Sequence, residues 1–497
     1  MTIYSDYSRA KVGWFFGLTG FQLGILAVAA LPVFWSIHAQ AWSDMFLLFL
    51  LWVLALCLIV LPVRGRSATG WMLSSVLYAI GRLTGRTRFR SNAARGLDVE
   101  PESADLPGVL NSLEIHDGPP VGAMQSRIAL IQNHAAKTWA ITASLVHPGI
   151  GTSDVDERRR LGTGLAELLD LCSRTELVDE LLFLVRTVPD DGAERAQWIA
   201  RHRRAGGPAL SRQVNDDLHR LLASASVRTE AFVTFVVPES RLAKVAREAG
   251  GGVQGRARIL YQLAGELEAH LRGAVAMVEV SWLTSPDLAI ACRTGFAPGD
   301  RAGIVDAHAA TDGTAREVPW AMAGPSGADT LVRHYSHDAW NSVSATVRLP
   351  AKGVVMGALA PILTPAHPGE RRSFMVAFPI LRQTVADRQT ASSEWSADLG
   401  DALREKAKVK QRTKARDEAD KVRALDRKLA RGNSMTQPYA VATVTVPNSE
   451  RIAEFGRHLD ASIRRAGFAP LRLDLAQDVA FACSTIPLGV SLVRGTD

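Results

Sequence analysis

Two long uncharged runs near the start of the chain constrain its fold most. Val12 to Ile37 and Met45 to Val63 contain no Asp, Glu, Lys, Arg or His. About 20 apolar residues at 1.5 Å per residue cross a hydrocarbon core of roughly 30 Å. Backbone groups at that depth find no water, so a helix is the expected form of each run. The linker Ser36 to Asp44 holds no Lys or Arg, whereas Arg9 and Lys11 precede the first run and Arg64, Arg66, Arg82, Arg86, Arg88, Arg90 and Arg95 follow the second. That asymmetry predicts a two-span hairpin over 1–63 in the inner (cell) membrane, with both termini cytoplasmic. Trp14, Trp35, Trp42 and Trp71, with Arg64 and Arg66, are the expected membrane-interface residues. A signal peptide fits poorly, because its apolar region is only about 7–15 residues and has no second span behind it.

The remainder reads as globular protein. Of 497 residues, 22% are charged and 47% hydrophobic, which suits two or three packed domains. The net charge of +7 has a sufficient cause in the basic cluster after residue 63, facing an anionic leaflet, so nucleic-acid contact is the lesser alternative. Cys57, Cys172, Cys292 and Cys483 lack any paired spacing, and neither a disulfide set nor a zinc site is expected.

Residues 64–109 read as a basic juxtamembrane helix, Gly70 to Ile80, followed by an extended linker from Ser91 to Pro120. Within 110–296, strand patterns (Thr138–His147, Val178–Pro189, Arg228–Pro238, Ala274–Leu283) alternate with helical ones (Asp154–Arg174, Ala209–Ala225, Arg256–Arg272). Strand–helix–strand therefore occurs twice, which predicts an α+β fold of ferredoxin-like kind. Residues 297–371 read as a loop-rich connection with a strand near Trp340 to Leu349, and 372–497 as a second α+β module. AFVTFVVPESRLAKVARE (231–248) and AVATVTVPNSERIAEFGR (440–457) share a β-branched strand, a proline and a helix start, hinting at an internal repeat. The segment 395–431 is helix-forming and polar, with a thin apolar stripe, and is expected to project as an arm. Its Lys406, Lys408, Lys410 and Lys414 are the expected partner-docking residues, for an acidic protein surface or an anionic leaflet.

No lysine follows a glycine, so there is no G-x-x-x-x-G-K-[ST] phosphate loop, and the glycine cluster Gly250-Gly251-Gly252 lacks the strand that should precede such a loop and reads as a plain loop. His334, Tyr335, His337 and Asp338 cluster without a second ligand group, which argues against a metal. With no G-x-S-x-G and no H-E-x-x-H, no catalytic constellation, metal or cofactor is expected, and the chain reads as a non-enzyme.

The runs PVRGRSATGW (62–71), LIQNHAAKTWAITASLVHPG (130–149), TLVRHYSHDAW (330–340) and PYAVATVTVP (438–447) carry a resemblance that covers most of the chain. It resembles actinobacterial membrane proteins of type IV secretion-like or conjugative clusters. In these a small two-span subunit is joined to a domain similar to the N-terminal, non-catalytic part of the secretion ATPase. The resemblance implies an inner-membrane structural adaptor that recruits a separate hexameric ATPase. The implied partners are that ATPase, polytopic channel subunits and anionic inner-leaflet lipid, in a hetero-oligomer. Arg64-Gly65-Arg66-Ser67 followed by Gly70-Trp71 also resembles the E component of type VII secretion systems. An anchored enzyme with an unreadable site is the remaining alternative.

Overall fold

The structure is a computed structural model that describes residues 3–4, 20–40, 42–60, 62–63, 66–122, 125–151, 153–189, 192–202, 206–225, 227–310, 318–348, 354–367, 369–381 and 434–492. The chain divides into two compact units, one made of 1–4, 86–381 and 436–497, the other of 5–85 and 382–435.

In the smaller unit, α1 (Gly20–His38) and α2 (Trp42–Val60) form a hairpin, and α3 (Ala68–Leu83) follows. Trp52 Nε1 of α2 donates to the Leu26 carbonyl of α1 at 3.0 Å, which fixes the two helices side by side. Side chains in this pair are described over 26–36, at 38, and over 42–57. Among the described residues no helix is long and apolar enough to cross a membrane. The two-span membrane hairpin expected at 1–63, and the inner-membrane placement drawn from it, are therefore corrected.

The larger unit is built on one antiparallel sheet of 14 strands. In chain order these are β1 (Arg88–Arg90), β2 (Leu113–Asp117), β3 (Ala129–Asn133), β4 (Thr138–Val146), β5 (Glu180–Pro189), β6 (Val227–Pro238) and β7 (Glu279–Trp282). Then come β8 (Gly327–Thr330), β9 (Tyr335–His337), β10 (Trp340–Arg348), β11 (Arg371–Leu381), β12 (Met435–Thr436), β13 (Tyr439–Pro447) and β14 (Ala469–Arg472). The main path runs β1-β8-β9-β10-β13-β11-β5-β6-β4-β3-β2. The separate ferredoxin-like units expected from the sequence are thus corrected to a single sheet, because β5 pairs with β11 and fuses the two halves.

Each half is a split β-α-β arrangement. In the first, β5-β6-β4-β7 are neighbours, with α4 (Val155–Arg174) carrying the chain from β4 to β5. Helices α5 (Ala193–His202) and α6 (Ala209–Ala225) lie between β5 and β6, and α7 (Glu239–Glu248) and α8 (Gly252–Gly273) lead from β6 to β7. Helix α9 (Ser285–Phe296), opened by a Thr284–Asp287 capping box, closes this half. In the second half β11-β13-β10-β14 repeat the order, and the strands adjoin the two halves in matching register. Strand β4 shares one edge between β3 (at 138–140) and β7 (at 143–146), and β10 shares its edge between β9 (at 340–342) and β14 (at 345–348). The segments 231–248 and 440–457 occupy equivalent places, each a strand beside the first strand of its half followed by a helix.

The segment 297–330, expected as loop, instead carries α10 (Asp300–Ala310), α11 (Trp320–Ala323) and β8. Helices α12 (Ala360–Leu363), α13 (Ile452–Arg465) and α14 (Gln477–Thr485) complete the described set. The supposed linker Ser91–Pro120 holds β2 and two fully buried leucines, Leu106 and Leu110. The arm 395–431 lies outside the described residues.

Alternation along the strands sorts the core into layers. Ile141, Ala143, Val233, Phe235 and Leu181 face α4 and α8, while Val343, Ala345, Phe374, Ala442 and Val444 face α12 and α13 on the same side of the sheet. Ala140, Leu182, Leu184, Val236, Met375 and Val441 point to the opposite side, under α9 and α14.

Gly164 marks the tightest helix crossing. A Cβ there would lie 1.9 Å from the Ala274 carbonyl oxygen at the end of α8, whereas one at Gly265 in mid-α8 would meet nothing within 4 Å. Gly164→Ala should therefore destabilise the protein by about 2 kcal/mol or more through overpacking, and Gly265→Ala should stabilise it by roughly 0.4–1 kcal/mol. Denaturant unfolding of the two variants checks the opposite signs.

Candidate functional site

The most exposed apolar surface belongs to the hairpin. Trp35 and Trp42 flank its turn and are 76% and 67% exposed, and Phe34, Phe46, Leu47, Leu50, Leu51 and Leu54 are also exposed. Phe46, Leu50 and Leu54 recur every fourth residue, so they share one face of α2. Exposed apolar side chains gathered on one helix face mark an interaction surface in a folded protein.

Of the other residues singled out in the sequence, Trp71 is half-buried on α3, with its indole N–H lacking a hydrogen-bond partner. Arg66 falls in a two-residue strand paired with Pro62–Val63. Trp14, Arg64, Lys406, Lys408, Lys410 and Lys414 lie outside the described residues.

The larger unit contains buried polar groups that periodicity alone conceals. At the seam between its halves, Arg186 of β5 donates to Glu230 (2.7 Å from Nη2) and to the carbonyls of Ala291 within α9 and Thr485 at the end of α14. Burial works to raise the Glu230 carboxyl, but Arg186, Arg228 and Arg371 outweigh it and hold it below the ordinary value. Arg372 and Glu370 form a second pair, both side chains wholly buried, with Nε to Oε1 at 2.7 Å. Such pairs do little for net stability, but losing one member strands a charge in the core. The signal for them was an Arg at an inward position of a strand pattern, as in ELLFLVRTVP (180–189).

Hydroxyls line the same layer. Thr142 bonds Thr234 across β4–β6, and Ser344 bonds Thr443 across β10–β13, at 2.9 and 2.6 Å. These are the same positions in the two halves.

His337 is fully buried: its ring bonds the Phe296 carbonyl through Nδ1 and Ser342 Oγ through Nε2, each at 2.8 Å. The carbonyl can only accept, so Nδ1 carries the proton and Nε2 accepts from Ser342. This Ser–His contact has no exposed face and orients the core. Asp338, with φ 48°, accepts from Arg293 and from the Ser326 amide and so braces the turn. Among the described residues no three His, Cys, Asp or Glu are grouped for a metal. Burial pushes the Cys172 and Cys292 thiols up to about 12, which leaves them protonated and unreactive.

Small cavities in this unit are lined by described residues. One of about 30 Å³ lies between Phe89, Tyr335, Asp478 and Phe481, and one of about 10 Å³ lies at the seam beside Arg186 and Arg371. Each has room for a water or two. No protein-family model matches the chain, and no curated protein matches it.

Burial pulls the His337 imidazole down to about 3 from its ordinary 6.5, and the nearby Arg371 charge adds to the effect. Between those values the unfolded chain takes up a proton that the folded chain refuses, so stability is full above pH 6.5 and falls as pH drops toward 3. The slope for one group is about 1.4 kcal/mol per pH unit. Glu180, raised by burial to about 7, acts in the opposite sense over part of that range, so the effect is read as a difference: in urea unfolding at pH 7, 6 and 5 the stability of His337→Asn relative to the wild type should rise by up to about 1.4 kcal/mol per pH unit as pH falls below 6.5.

Proposed function

We propose that the chain is a structural adaptor of a secretion-type or DNA-transfer apparatus, serving to recruit a separate hexameric ATPase. The observation that supports this most is the exposed apolar face of α2, with Phe46, Leu50 and Leu54 at 66%, 57% and 55% exposure. Apolar side chains left in water at roughly 25 cal/mol per Å² give a partner a large return on covering them. The occupant fitting this face is an apolar helix of another subunit of the apparatus, laid along α2 through i, i+4 anchors. The sheet, fused through β5 and β11, suits a rigid platform for the ATPase.

The adaptor reading is tested by replacing Phe46, Leu50 and Leu54 together with lysine. These exposed changes should shift stability by no more than about 0.5 kcal/mol each, while recovery of the ATPase and channel subunits with the tagged chain should fall at least tenfold. Undiminished recovery would remove the docking face. Turnover of a nucleotide by the purified chain alone would replace the adaptor with an enzyme.

A further inference from the structure

The last described residues, 486–492, form a strap across the face of the sheet that carries α9 and α14. Leu488 and Val490 are buried in that apolar layer. The Pro487 carbonyl accepts from Thr142 Oγ1 at 3.0 Å. Gly489, at φ 71°, sits so close to the sheet that a Cβ would lie 2.9 Å from Ala140 Cβ and 3.4 Å from Thr234 Cγ2. Only glycine combines that backbone with that clearance.

The end of the strap is fastened by a polar chain. The Leu492 amide donates to Tyr439 Oη at 3.1 Å, and Tyr439 Oη donates to Glu180 Oε1 at 3.0 Å. The Ser491 hydroxyl also bonds Glu180. Glu180 is 7% exposed, and burial pushes its carboxyl up to about 7. The groups that face it are few. Tyr439 (β13) and Cys483 (α14) are both held protonated by burial, and Asp179 adds a repulsive charge, itself paired with Arg241 of α7 at 2.7 Å. No guanidinium or ammonium bonds Glu180 among the described residues, in contrast to Glu230 and Glu370.

We infer that the strap 486–492 is a proton-operated latch, held shut while the Glu180 carboxyl keeps its proton and loosened as that proton leaves. Opening uncovers the trough lined by Ala140, Thr142, Thr234 and Val236, together with Leu488 and Val490 of the strap. The ionised carboxylate gains water only when the strap lifts, so ionisation and opening favour each other. Linkage gives the direction. Glu180 titrates near 4.5 when solvated and near 7 when covered, so closure is fully favoured below pH 4.5 and weakens as pH rises to 7. The opening constant rises by up to about tenfold per pH unit in that window and levels off above it.

Hydrogen exchange of the full chain, followed at the amides of 488–492 and corrected for the intrinsic rate, tests this between pH 5 and 8. The expected result is an opening constant that climbs through pH 5–7 and then flattens. Glu180→Gln, which keeps a neutral side chain in place, should make the opening constant independent of pH. Tyr439→Phe, which removes the fastening at Leu492, should raise it at every pH. A wild-type opening constant that is flat across the range overturns the latch, and so does an unchanged pH dependence in Glu180→Gln.

Discussion

The antiparallel pairing of β5 with β11 is the constraint on which the larger unit depends. It runs from Glu180 opposite Pro379 to Thr187 opposite Arg372, with Leu184 facing Met375 near its middle. A one-residue slip would turn every side chain to the other face. Phe183 would leave the α4–α8 layer, and Leu184 and Met375 would leave the layer under α9 and α14. The pairing also removes two strand edges that each half would otherwise present to other chains.

The seam brings charge into the core as a consequence. Arg186 and Arg372 lie on the two paired strands, and each needs a carboxylate, supplied by Glu230 on β6 and by Glu370 just before β11. Arg186 further bonds a carbonyl within α9 and the last carbonyl of α14, so the helices on that face are tied to the joint between the halves. Glu180 is the exception, because its partners are hydroxyls and not cations. Burial without a cation favours the protonated form of such a carboxyl and raises its titration toward neutral pH.

The two halves of the sheet share an arrangement. Strand order and register recur, and the Thr142–Thr234 hydroxyl pair recurs as Ser344–Thr443. The connections differ in length: residues 190–226 stand between β5 and β6, and residues 382–438 between β11 and β13. Sheet pairing tolerates no shift, whereas a surface connection of changed length costs only a slowly growing loop entropy. Any docking function read from the apolar hairpin belongs to the smaller unit and is independent of this repeat.

By itself the sequence determined the local elements. Leucines at 161, 165, 168 and 169 with Asp154 ahead of them specify α4, and the β-branched runs ending at Pro238 and Pro447 specify β6 and β13. Those signals are short-range, arising from periodicity, capping and a missing N–H. The length of the apolar runs at 12–37 and 45–63 was legible too, but it overstated what the described helices span. Only tertiary structure decided that the two halves share one sheet, since nothing local in ELLFLVRTVP names RRSFMVAFPIL as its partner. The same holds for the elements of 297–330, too short and glycine-rich to show a period, and for the buried Arg186, His337 and Glu180. A polar residue in a strand is read as solvent-facing until the opposite layer is known, because burial and pairing are properties of neighbours far away in the chain.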